Sequence, residues 1–122
     1  MARILVADDA SFMRQMIREI VELEGHEVVA EASDGIEAID QFKSHHPDVV
    51  TMDIVMPRRS GIDAVKGILE CDPTARVVMC SALGQETLVT EALQAGAHDF
   101  IVKPFKPDSV ISTLRKVLEK EE

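Results

Sequence analysis

The sequence has no tryptophan and no tyrosine, and aromatic residues make up only 3% of its 122 residues. A flavin-binding electron carrier is therefore disfavoured, because no large polar ring is available to stack on the cofactor. No apolar run approaches the roughly 20 residues that a membrane span requires. The N-terminus enters a strand pattern directly, without the pattern of a signal peptide. We therefore expect a cytoplasmic protein that does not associate with a membrane.

Basic residues and cysteines are also few. Thirteen lysines and arginines face 22 aspartates and glutamates, which gives a net charge of −9. Without a lysine and arginine cluster or a set of stacking aromatics, we do not expect nucleic-acid binding. Cys71 and Cys80 have no CxxC spacing and no further cysteine to join them, so we expect two reduced, mostly buried thiols. The absence of a GxxxxGK[ST] motif excludes a P-loop nucleotide hydrolase.

What is present is a regular alternation of strand and helix patterns, with 46% hydrophobic residues, enough for the core of one domain. The strand patterns are mostly apolar throughout, which is typical of parallel strands covered on both faces. We therefore predict one doubly wound α/β domain. The predicted strands are residues 3–7, 27–32, 49–52, 76–80 and 100–102, and the predicted helices are residues 10–24, 35–46, 61–71, 85–95 and 107–118. We expect residues 119–122 to fray.

Helical spacing predicts which side of each helix is buried. The predicted buried positions include Met16, Ile20 and Leu23 in the first helix, Ile36 in the second and Leu93 in the fourth.

Polar residues lie where the predicted strands end. Asp8 and Asp9 follow the first strand, Asp53 the third, Ser81 the fourth and Lys103 the fifth. Asp53 alone could be a turn-capping acid. In a parallel sheet, however, these strand ends share one edge, so three carboxylates, a hydroxyl and an ammonium converge. Such oxygen ligands suit Mg²⁺, and the set suits phosphoryl transfer to a carboxylate.

Four segments make the chain resemble the response-regulator receiver domains, in particular their stand-alone chemotaxis members. They are residues 4–9 (ILVADD), 50–57 (VTMDIVMP), 80–85 (CSALGQ) and 99–105 (DFIVKPF). The resemblance covers essentially the whole chain. It implies a single flavodoxin-like receiver domain over residues 1–122 and a five-stranded parallel sheet with the order 2-1-3-4-5.

The resemblance also implies an acceptor and a metal site. Asp53 would accept the phosphoryl group. Asp9, Asp53 and the backbone carbonyl of Val55 would hold Mg²⁺, for which Mn²⁺ could substitute, and Asp8 would act mainly through water.

The resemblance implies a switch beside the acceptor. Ser81 and Ala82 would contact the phosphoryl group, Lys103 would pair with it, and the Lys103–Pro104 bond would be cis. Phe100 would be a rotamer switch that reports phosphorylation, although simple packing on an edge strand is the alternative.

Three departures from the usual family pattern change the expectations. Phe100 lacks a tyrosine hydroxyl, which puts any output contact through that oxygen in doubt. Val55 and Leu83 are apolar where polar side chains often position a hydrolytic water, so we predict slow self-dephosphorylation and a separate phosphatase. Arg58 and Arg59 either attract an acidic phosphodonor domain or lie in a solvated loop.

The expected function follows from the family. A histidine kinase would phosphorylate this switch, and a flagellar motor switch or adaptor protein would read the fourth helix, fifth strand and fifth helix of a monomer. We do not expect an enzyme, because the product of transfer to Asp53 is a conformational state. An aspartate-nucleophile phosphatase would also need a second acid where this chain has Val55. The main alternative is a receiver-like binding module that acts without phosphorylation.

Overall fold

A computed structural model describes residues 1–119, in which five strands alternate with five helices. The predicted order of elements is confirmed, and most boundaries lie within one residue of the predicted ones. Three residues of the expected fraying tail, 120–122, lie outside the described residues, whereas Glu119 belongs to the last helix. The elements are β1 (Arg3–Ala7), α1 (Ser11–Leu23), β2 (Glu27–Ala32), α2 (Gly35–His45), β3 (Val49–Asp53), α3 (Gly61–Cys71), β4 (Val77–Ser81), α4 (Glu86–Gln94), β5 (Asp99–Val102) and α5 (Pro107–Glu119).

The strands form one parallel sheet in the order β2-β1-β3-β4-β5, as the resemblance implied. Ala7 pairs with Met52, and Asp53 pairs with Cys80. The carboxyl ends of β1, β3 and β4 therefore lie at one edge of the sheet, where a doubly wound domain places its chemistry.

Alternate strand residues supply the two cores of the domain. Ile4 and Val6 pack with residues of α1 and α5, whereas Leu5 and Ala7 pack with residues of α2, α3 and α4. This is the period of two that a strand imposes on its side chains. It explains why the strand patterns lack polar alternation, since both faces of the sheet are covered.

Capping residues fix two of the helices that approach the edge. Asp34 caps α2 by accepting a hydrogen bond from the Glu37 amide at 2.8 Å, and Glu37 accepts one from the Ser33 amide at 2.8 Å. The two bonds resemble a capping box, except that Glu37 accepts from the amide of Ser33 and not from that of the N-cap residue Asp34. Ser60 caps α3 by accepting from the Asp63 amide at 3.2 Å.

Some predicted core positions are wrong. Leu23 is 90% exposed, Ile36 40% and Leu93 39%, and Met16 is also exposed. In α1 the buried face is centred on Ile17, Ile20 and Val21, and Leu23 points away from it at 100° per residue. A loose apolar spacing thus overestimates the width of the buried stripe.

Cys71 corrects a second expectation, because its thiol is exposed whereas that of Cys80 is buried. Cys71 is the last residue of α3, where the chain leaves the helix through the extended Asp72. No helix among the described residues is long and apolar enough to cross a membrane.

Candidate functional site

Three aspartates meet at the carboxyl edge of the sheet. Asp53 is the last residue of β3, and Asp8 and Asp9 follow β1 directly. One carboxylate oxygen of each lies within 4.8 Å of the others. Asp8 is only 4% exposed and Asp53 only 7%, whereas Asp9 faces solvent. The structure therefore brings together the acids that the sequence placed at separate strand ends.

Lys103 contributes the positive charge at this edge. Its Nζ donates a hydrogen bond to Oδ2 of Asp8 at 2.9 Å and lies 3.5 Å from Oδ1 of Asp53. The lysine therefore makes its closer contact with Asp8, not with the predicted acceptor. Its amide donates to the Ser81 carbonyl at 2.7 Å, and the bond to Pro104 is cis, as expected. Burial lowers the pKa of Lys103, but the Asp8 hydrogen bond and the charges of Asp53 and Asp8 raise it overall.

Lys103 compensates the negative charge of Asp53 only in part. Burial, followed by the nearby charge of Asp8, raises the pKa of its carboxyl from 3.8 to about 6, against the opposing effect of Lys103. An acid in this environment gains from a further cation, and an all-oxygen cluster is the donor set that Mg²⁺ prefers. The residues present therefore fit a magnesium ion.

Asp8 is held in place on several sides. Its Oδ1 accepts from the Ala10 amide at 2.9 Å, and its own amide donates to the Ala32 carbonyl at 3.0 Å. The Arg14 guanidinium donates to the Asp8 carbonyl oxygen at 2.7 Å and pairs with Glu31 on β2. The sequence analysis did not identify Arg14, although a basic residue in the first turns of α1 is close to any acid that ends β1.

The segment from Asp53 to Gly61 is fixed at both ends. The Gly61 amide donates to the Ile54 carbonyl at 2.8 Å, and a Cβ on Gly61 would overlap the carbonyl oxygen of Asp53. Arg58, at a φ of 64°, pairs with Asp34 through Nε at 2.9 Å. Arg58 is thus ion-paired as well as exposed. The side chain of Val55 faces solvent beside Asp53.

The end of β4 and the start of β5 form the second half of the site. Ser81 is buried at the end of β4, and the next amide, that of Ala82, donates to Oε1 of Gln85 at 2.7 Å. A cavity of about 290 Å³ separates this segment from α4 and β5. Phe100, 39% exposed, lines that cavity together with Val89. Phe100 therefore borders open space, as its expected role requires.

Comparison with known proteins identifies the family. A model of the response regulator receiver domain matches residues 4–115 of the chain. This chain belongs to the response-regulator receiver family. Its curated relatives include the chemotaxis protein CheY of Thermotoga maritima, 52% identical over 94% of this chain and 96% of that protein. The chemotaxis protein CheY of Bacillus subtilis is 54% identical over 95% of this chain and 97% of that protein.

Solved receiver structures agree in fold. The CheX–CheY–BeF₃–Mg²⁺ complex of Borrelia burgdorferi matches with a TM-score of 0.92 and 40% identity, over 97% of this chain and 90% of that chain. The receiver domain of NtrX from Brucella abortus matches with a TM-score of 0.91 and 34% identity, over 97% and 99% of the two chains. The predicted family and the flavodoxin-like receiver fold are confirmed, and the roles of individual residues remain predictions.

Proposed function

We propose that this receiver domain, over residues 1–122, is a chemotaxis response regulator that accepts a phosphoryl group on Asp53. The observation that carries the proposal is the position of Asp53, buried beside two other acids and 3.5 Å from the Lys103 ammonium. The donor is a phosphohistidine of a histidine kinase, and the phosphorylated form binds a flagellar motor switch or adaptor protein. The proposal includes a monomer acting in the cytoplasm.

The chemistry follows from the geometry. A carboxylate oxygen of Asp53 attacks phosphorus while the bond from phosphorus to the histidine nitrogen breaks. The imidazole keeps the electron pair of that bond and takes up a proton. Lys103 is close enough to shift from Asp8 toward the incoming phosphoryl oxygens, and the Ser81 hydroxyl and the Ala82 amide supply hydrogen bonds. The product is a conformational state, so the domain acts as a switch.

Asp9, Asp53 and the Val55 carbonyl oxygen are the proposed ligands of Mg²⁺, with Asp8 acting through water. When bound, Mg²⁺ neutralises charge that develops on the transferred group, and Mn²⁺ offers similar chemistry. The oxygen-only cluster and the raised pKa of Asp53 support this assignment. The Borrelia CheY complex contains both Mg²⁺ and BeF₃, which is consistent with such a site here.

The relatives support a role in chemotaxis, because several curated proteins of similar length and about half-identical sequence are chemotaxis proteins. The exposed side chains of Phe100 and Val102 on β5 support an output surface formed by α4, β5 and α5.

Intact mass after incubation with acetyl phosphate and Mg²⁺ tests the acceptor. We expect one added phosphate on the wild type, and none on Asp53→Asn or on the wild type with EDTA. Asp40→Asn, a change of an exposed acid on α2, is the matched control and should take up phosphate normally. A phosphate retained by Asp53→Asn would place the acceptor elsewhere. No phosphate on a Mg²⁺-bound wild type would favour a binding module that acts without phosphorylation.

The lifetime of the phosphate tests the proposed dependence on a separate phosphatase. Val55 and Leu83 are exposed beside the site, and neither side chain can orient a water by hydrogen bonding. The double variant Val55→Asn, Leu83→Glu should therefore lose its phosphate several-fold faster than the wild type, measured by mass after the donor is removed. Equal rates would contradict this part of the proposal.

A further inference from the structure

Gln85 makes an unusual local hydrogen bond. It precedes α4 at the N-cap position, yet its side chain does not cap that helix. Its Oε1 instead accepts from the amide of Ala82, three residues earlier, at 2.7 Å. Gly84, at a φ of 88°, provides the left-handed backbone that reverses the chain between them. The amide of Ala82 is therefore already occupied by a side-chain acceptor.

Ala82 lies at the edge of the sheet that holds Asp53. Asp53 pairs with Cys80 in the sheet, and the Ile54 amide donates to the Cys80 carbonyl at 3.3 Å. Ser81 and Ala82 follow directly, so their donors lie just beyond the row that contains the acceptor. Ala82 is exposed at this edge, whereas Ser81 is buried. The Ala82 amide therefore lies two residues beyond the residue that pairs with Asp53, at the edge of the sheet that holds the acceptor.

We propose that Gln85 is a positioning residue that competes with the phosphoryl group for the Ala82 amide and thereby favours the unphosphorylated state. This inference rests on the proposed function, in which that amide contacts the phosphoryl group. A single N–H makes one good hydrogen bond at a time, so phosphorylation displaces the Gln85 carboxamide. Its release frees the segment from Ser81 to Leu83, which lines the same cavity as Phe100.

The size of the effect follows from the type of bond. A neutral hydrogen bond at an exposed position contributes modestly, so its removal should improve the binding of a phosphoryl analogue about two- to tenfold. The sign is diagnostic, because a residue that merely supports the loop would weaken analogue binding when truncated.

Beryllium fluoride with Mg²⁺ is the probe, titrated by calorimetry into the full chain. Gln85→Ala should bind it about two- to tenfold more tightly than the wild type. Gln85→Asn keeps the amide but is one methylene too short to reach Ala82, so it should behave like Gln85→Ala. Gln94→Ala, a change of the same residue type at the far end of α4, should match the wild type. The affinity for Mg²⁺ alone should be the same in all four proteins, since the contact lies outside the carboxylate cluster.

The Ala82 amide gives an independent readout. Its proton resonance should move and its hydrogen exchange should accelerate in both Gln85 variants without ligand. The inference is overturned if both variants bind beryllium fluoride as the wild type does, or more weakly. If one of the two Gln85 variants does not fold, the beryllium fluoride affinity of the other tests the inference. Failure of the wild type itself to bind beryllium fluoride with Mg²⁺ would refute the proposed function and this inference together, whereas normal wild-type binding with unchanged variants would refute this inference alone.

Discussion

Neutralising Asp53 should stabilise the metal-free protein. Burial and the charge of Asp8 raise the pKa of Asp53 from 3.8 to about 6, so the folded state holds its proton more tightly than the unfolded chain does. The associated stability is complete below the ordinary pKa of an aspartate and is lost as the pH rises through the folded value. Above about pH 6, the ionised carboxylate therefore destabilises the fold, and Asp53→Asn removes that cost.

The magnitude can be bounded. Each pH unit between the folded and unfolded pKa corresponds to about 1.4 kcal/mol, so the full difference is at most about 3 kcal/mol. The Asp53 carboxyl lies beside the solvent-exposed Asp9, and solvent screens part of this energy. We therefore expect Asp53→Asn to be more stable than the wild type by about 1.5 kcal/mol near neutral pH, or by about 5 °C in melting temperature.

Urea unfolding in EDTA, followed by far-ultraviolet circular dichroism because the chain has no tryptophan, measures this difference. The gain should shrink as the pH falls from about 7.5 to about 4.5, since the wild-type carboxyl then takes up its proton. Mg²⁺ should stabilise the wild type more than the variant, by about 1.4 kcal/mol at tenfold excess over its dissociation constant. Asp40→Asn should change little. An Asp53→Asn variant no more stable than the wild type in EDTA would refute the reasoning.

Three further predictions test other parts of the structure. In the native protein only Cys71 should react with a thiol reagent, because burial raises the pKa of the Cys80 thiol to about 12, and a second reacted thiol before unfolding would contradict this. Glu31→Gln should destabilise the fold by about 1 kcal/mol in urea unfolding, since two α1 arginines pair with this partly exposed carboxylate. The loss should begin to shrink as the pH falls below the ordinary glutamate pKa of 4.5 and vanish only below the folded pKa of Glu31, which the Arg18 and Arg14 hydrogen bonds lower. Gly61→Ala should abolish acetyl phosphate uptake, because a Cβ there overlaps the Asp53 backbone. A Cβ at Gly67 overlaps the flexible end of the Ile39 side chain and no backbone, so Gly67→Ala should retain uptake.

The fold was largely predictable because its determinants are local. Apolar strands and helix caps such as Asp34 and Ser60 each act within a few positions of the chain. The wrong predictions, among them Leu23 and Ile36, concern how wide a buried stripe is. That width depends on how the helix packs against the sheet and its neighbouring helices, and the spacing of apolar residues within one helix does not determine it.

The sequence predicted most residues of the site but not the contacts between them. Parallel topology brings strand ends together whatever their sequence separation, so the carboxylates and Lys103 could be expected at one edge. Two other contacts could not be expected: Lys103 bonds Asp8 more closely than Asp53, and Gln85 occupies the Ala82 amide. Both contacts depend on the conformations of individual side chains, which the spacing of residues along the chain does not determine.

The closer contact of Lys103 with Asp8 bears on the balance of charge at the carboxyl edge of the sheet. Three carboxylates and one ammonium have a formal charge of 1 − 3 = −2, equal and opposite to that of one Mg²⁺. The ammonium bonds Asp8 at 2.9 Å and compensates the charge of Asp53 only in part, while burial and the Asp8 charge raise the pKa of Asp53 to about 6. A phosphoryl group on Asp53 would draw both the divalent cation and the lysine toward the acceptor, where charge-assisted contacts are strongest. The same imbalance that destabilises the metal-free fold therefore favours the phosphorylated one.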